Sequence, residues 1–171
     1  MNLTKKITIA LCIIIAFGAC KVDDPKPTGS ISYQLNGINI STSSLCFGAD
    51  YGVGIFGTKG NDDLAIFIDT TITEGASYHV GRIAGAVAIE YTNWTNSRHF
   101  DSDTGTIVIE HYDGDRITGT FEATVVSGPT TKTITNGKFD VAIDYSNPVT
   151  SNYDDSVYAF RKTRAPARIN K

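Results

Sequence analysis

Three histidines, His79, His99 and His111, are the residues most able to carry chemistry in this chain. None stands in a His-x-x-x-His or similar spacing, so the sequence predicts no metal ligand. Asp101-Ser102-Asp103 and Asp113-Gly114-Asp115 pair carboxylates. Neither supplies the oxygen set that a calcium loop needs, and Asp and Gly are ordinary turn formers. Gly52-Val53-Gly54 is only a fragment of a nucleotide-binding loop, and a strand lying close to a neighbour explains it better. There is no Gly-x-Ser-x-Gly elbow, P-loop or zinc-protease helix motif. Two carboxylates could build a glycosidase, but nothing singles out a pair. The expectation is therefore no catalytic residue and no cofactor. An envelope hydrolase or enzyme inhibitor, with a site assembled only in three dimensions, is the alternative.

The segment Tyr91-Thr92-Asn93-Trp94-Thr95-Asn96-Ser97-Arg98-His99-Phe100 concentrates the single Trp with other aromatics and polar residues. Aromatic faces beside Asn and Arg donors suit contact with a glycan or a protein. Tyr91, Trp94 and Arg98 are the candidate contact residues of what reads as a loop. The competing reading has Trp94 capping an open end of the core. Asp69-Thr70-Thr71 and Asp155-Ser156-Val157 resemble a Bacteroidetes O-glycosylation motif, which implies that Thr70 and Ser156 are exposed.

Cysteine chemistry points to the cell envelope. Lys5-Lys6 precedes an apolar run from Ile7 to Ala19, too short to span a bilayer. Gly18-Ala19-Cys20 resembles a bacterial lipobox, which implies removal of residues 1–19 and lipid attachment at Cys20. The membrane partner is then reached through acyl chains. Lys21-Val22-Asp23-Asp24 resembles a surface-export signal of Bacteroidetes lipoproteins, which favours the cell surface over the periplasmic face of the outer membrane. Residues 20–29, with Pro25 and Pro27, form an extended tether. With Cys12 and Cys20 accounted for, Cys46 is left alone and forms no internal disulfide. Its neighbours Leu45 and Phe47 make it a buried, inert thiol.

The elements that position these residues read as strands. The 171 residues are 41% hydrophobic and only 19% charged, enough for one domain with a core. Fifteen Lys and Arg against 18 Asp and Glu give a charge of −3, which argues against nucleic-acid binding. Polar–apolar alternation begins at Ser30–Leu35, turns at Asn36-Gly37 and resumes at Ile38. Gly52–Thr58 and Asp63–Asp69 follow, then short strands at Ser77–Val80 and Ala86–Tyr91. Thr106–Tyr112 places Ile107, Ile109 and His111 on one face. Arg116–Val126 puts Ile117, Gly119, Phe121, Ala123 and Val125 inside, with Thr118, Thr120, Glu122 and Thr124 outside. The last strand runs from Thr131 towards Tyr145 with Phe139, Val141, Ile143 and Tyr145 facing in. Ile134 and Phe139 have opposite parity, which a bulge at Asn136-Gly137 would restore; a second tight hairpin turn there is the alternative, and the bulge is favoured because a turn would leave only a very short strand after Pro129. The fold class is all-β: one antiparallel β-sandwich or partly closed β-barrel over residues 30–145. A C-terminal extension, residues 146–171, could add an edge strand at Tyr153–Phe160 before a basic tail.

Gly105-Thr106-Ile107-Val108-Ile109, Ile117-Thr118-Gly119-Thr120-Phe121 and Ile134-Thr135-Asn136-Gly137-Lys138-Phe139-Asp140-Val141 stand in a suggestive order. With Leu35-Asn36-Gly37, they resemble a family of uncharacterised Bacteroidetes lipoproteins, the domain of unknown function DUF6252. The resemblance covers about Ser30 to Tyr145. It implies strand and turn motifs and brings no established activity, so no catalytic residue is carried over.

Overall fold

The computed structural model describes residues 28–49, 52–81 and 87–146, and these are all-β. Among the described residues nine strands run in order: β1 (Gly29–Leu35), β2 (Ile38–Ala49), β3 (Gly52–Lys59), β4 (Asp62–Ile68), β5 (Ser77–Gly81), β6 (Val87–Asn93), β7 (Arg98–Tyr112), β8 (Arg116–Ser127) and β9 (Thr130–Ala142). Every pairing between them is antiparallel. β1 pairs with both β2 and β9, and β7 with both β6 and β8. The sheet thus closes into an eight-stranded barrel, the closed form of the two expected architectures.

β5 is the ninth strand. The pairing of β6 with β7 stops at Glu90↔Asp101, and β5 takes the same edge of β7 from Gly81↔Thr104 onward. At the fork, the Ile89 N–H donates to the Ser102 hydroxyl at 3.2 Å. Ser102 is buried, so this bond replaces a ladder partner that the diverging strand no longer supplies.

Alternation fills the interior. Ile31, Ile55, Ile66, Ile89, Ile107, Ile117 and Val141 are completely buried in one continuous core. Small residues face large ones across β8 and β9, where Gly119 pairs with Phe139 and Gly137 with Phe121. A Cβ on Gly137 would lie 2.6 Å from the Phe121 ring. The two Phe rings can therefore stack, 6.3 Å apart, only because their partners lack side chains.

The expected bulge is present. β8 advances two residues from Phe121 to Ala123 while β9 advances three, from Gly137 to Ile134. Asn136 takes the left-handed conformation there, with φ of 53°. Ile134 and Phe139 are both buried as a result. The Asn36-Gly37 turn has positive φ at both residues, as a tight hairpin requires.

Two facing assignments are corrected. A register shift between Ile109 and His111 sends Tyr112 inward opposite Ile117 and leaves His111 on the outer wall opposite Thr118. Tyr145 lies beyond the end of β9 and is 49% exposed, with its hydroxyl donating to the Gly114 carbonyl. Cys46 is fully buried, and burial pushes its thiol up to about 12. Cys20, Ser156 and the edge strand expected at Tyr153–Phe160 lie outside the described residues.

Candidate functional site

Up-and-down connection puts alternate turns at the same end of the barrel. The turns at Asn36-Gly37, Gly60-Asn61, Trp94–Ser97 and Gly128-Pro129 therefore share one rim. Side-chain and backbone bonds tie them together. The Trp94 N–H donates to the Asn61 carbonyl at 2.8 Å, and Arg98 Nη1 donates to Thr130 Oγ1 at 2.9 Å. Gly29 and Asp113-Gly114-Asp115 lie at the opposite end, so the described chain enters the barrel far from this rim.

The Tyr91–Phe100 segment is a hairpin tip rather than a loop. β6 continues through Asn93, residues 94–97 turn, and β7 begins at Arg98, eight residues before the strand expected from alternation. The polar residues Thr92, Asn93, Arg98 and His99 hid the strand ends, because a run of polar residues lacks the polar–apolar alternation by which a half-buried strand is read.

This placement separates the three predicted contact residues. Tyr91 is 1% exposed and belongs to the core, which corrects its assignment as a contact residue. Its hydroxyl donates to Asp62 Oδ1 at 2.5 Å, and Asn93 Nδ2 donates to the same oxygen at 2.7 Å. Burial first, and the Asp62 carboxylate second, push the Tyr91 phenol up to about 12. Lys132 places Nζ 5.4 Å from the ring centroids of both Tyr91 and Phe100, closing the top of the core with a cation on aromatic faces. Trp94 is 42% exposed and is not one of the buried core residues, which weighs against its reading as a cap on the core. Its Nε1 donates to Asp63 Oδ2, which fixes the indole at the rim. Arg98 is exposed beside it. Ile38, the most exposed large hydrophobic residue described, stands on the same rim at 70% exposure. Nothing in the sequence marked Ile38, because its alternation is that of a core position. Thr70 is half-buried rather than fully exposed.

On the outer wall below the tip, β6 and β7 bring together Glu90, Thr92, His99 and Asp101. Glu90 faces Asp101 and Thr92 faces His99 in register. His99 Nε2 lies 2.9 Å from Asp101 Oδ1 and 3.7 Å from Glu90 Oε2, while Nδ1 lies 2.9 Å from Thr92 Oγ1. Sequence spacing gave no warning of this group. Its members are brought together by strand pairing across a turn rather than by a motif. At the other end, His111 Nδ1 approaches Glu74 at 2.9 Å and Nε2 approaches Asp113 at 3.5 Å, so its two carboxylates lie at different ring nitrogens.

Asp101 and Asp103 do not form a cation loop, since Ser102 between them turns into the barrel and a register shift follows. Asp113 closes its own turn, accepting from the N–H groups of Arg116 at 2.8 Å and Asp115 at 3.0 Å. Those two donors hold its carboxyl below the usual range.

Fold and rim together define a closed antiparallel barrel with a filled interior and a decorated end. No family model matches the chain, and no curated protein or solved structure matches it either.

Proposed function

We propose that this protein is a lipid-anchored module of the outer membrane, displayed at the cell surface, that binds a ligand at the barrel rim. The DUF6252 lipoprotein resemblance, Cys20 and the tether at residues 20–29 support the anchor. One observation carries the binding role: the exposed Trp94 and Ile38 share the rim opposite Gly29, the end where a tether would join. A module anchored through its N-terminal segment then presents that rim away from the membrane. The interior is packed with side chains, which favours a surface contact over a ligand held within the barrel. Trp94 offers a held aromatic face, and Asn96 and Arg98 offer donors beside it. That combination suits a sugar ring, whose apolar face stacks on indole while its hydroxyls take hydrogen bonds. A protein ligand is the other occupant of the same surface.

The test is a glycan array probed with wild type and with Trp94→Ala. Binding of a glycan subset that falls at least about 30-fold in the variant, the scale of a 2 kcal/mol hot spot, supports the reading. Loss of stability comparable to a core deletion, without a binding defect, overturns it. The hydrolase or inhibitor alternative has one observation in its favour, the meeting of Glu90, His99 and Asp101, but that group stands on the outer wall.

A further inference from the structure

We infer that Glu90, His99 and Asp101 form a binding site for a divalent transition-metal ion, with zinc as the best fit. Each residue offers one ligand atom, and these atoms lie within 4.8 Å of one another. Bonds of about 2.0–2.2 Å at tetrahedral angles separate neighbouring ligand atoms by about 3.4 Å. The observed separations from His99 Nε2, 2.9 and 3.7 Å, bracket that value. Drawing the two carboxylate oxygens, which lie within 4.8 Å of each other, towards that separation converts the arrangement into a coordination shell.

Two features distinguish the group from an ordinary surface cluster. First, both carboxylates address the same imidazole nitrogen, Nε2. In the His111 cluster they address different nitrogens, so no single ion is served. Second, Nδ1 is engaged by the buried Thr92 hydroxyl. A proton on Nδ1, donated to Thr92 Oγ1, leaves the Nε2 lone pair directed at the carboxylates, which is how outer partners orient metal-bound histidines. The imidazole selects against calcium and magnesium, which take oxygen ligands, and in favour of zinc. Three protein ligands leave a coordination position open to water or to a donor from a bound partner.

The experiment is isothermal titration of zinc chloride into the full chain, in detergent, carrying Cys12→Ser and Cys20→Ser so that only the buried Cys46 thiol remains. One zinc per chain is expected. His99→Gln should weaken binding at least about 100-fold, and Thr92→Val about 10–100-fold through loss of the orienting bond. His111→Gln should leave binding unchanged, and calcium should not compete. X-ray absorption of the zinc-loaded, otherwise wild-type protein should show one imidazole nitrogen and carboxylate oxygens at about 2.0–2.2 Å, a readout that needs no further variant. Absence of binding at about 1 mM zinc, equal binding by His99→Gln, or a shell without imidazole overturns the inference.

Discussion

Phe121→Ala tests the barrel interior most directly. Phe121 is 3% exposed, stacks on Phe139 and lies 6.2 Å from the Tyr33 ring, centroid to centroid. It also fills the space left by Gly137, which has no side chain to move into a vacancy. Phe139 and Tyr33 are each held by their own strands, so collapse around the deletion is limited. Transfer and cavity terms together cost about 3–5 kcal/mol for a Phe→Ala change in a core, and the poor collapse places this site in the upper half. At about 2–4 °C per kcal/mol, the melting temperature should fall by about 8–20 °C. Glu122, the next residue, is exposed on the outer wall. Glu122→Ala should change stability by no more than about 0.5 kcal/mol. Urea denaturation followed by far-UV circular dichroism, with thermal melts alongside, measures both. Equal losses in the two variants would refute the inside–outside assignment of β8 and, with it, the filled barrel.

Cys46, the only thiol left in the Cys12→Ser, Cys20→Ser chain, should resist a thiol reagent at pH 8 until denaturant is added, because burial pushes its pKa up to about 12. Rapid labelling in native buffer would place Cys46 at the surface. Asn136→Ala puts an ordinary side chain at φ 53° and removes the 2.9 Å bond from Nδ2 to Gln34 Oε1. It should cost about 1–2 kcal/mol in denaturation, whereas Asn136→Gly should cost much less. Asp113 has a lowered folded pKa, so its contribution to stability is present above the ordinary carboxyl value and is lost as pH falls through the lowered one. Asp113→Ala should therefore flatten the acid limb of the stability–pH curve, and an unchanged limb would show that the turn bonds contribute nothing there.

Much of the barrel was legible locally. Strand alternation along β8, the tight turn at Asn36-Gly37 and the parity conflict between Ile134 and Phe139 each depend on residues a few positions apart, and each appears as expected. Closure of the sheet was not legible, because the choice between sandwich and barrel depends on whether β1 meets β9, more than a hundred residues away. Tyr91 was misplaced for a related reason. An aromatic among polar residues looks like a contact loop until β4 and β7 close over it and Asp62 takes its hydroxyl. His111 was placed on the inner face because alternation has no memory of a bulge, and one extra residue after Ile109 reversed it. The proposed anchor rests on the sequence alone, since a basic start, an apolar run and Gly18-Ala19-Cys20 are contiguous. Tertiary structure decided that Trp94 and Ile38 share one rim and that Glu90, His99 and Asp101 share one wall. Pairing register, not spacing along the chain, sets which side chains meet across a barrel.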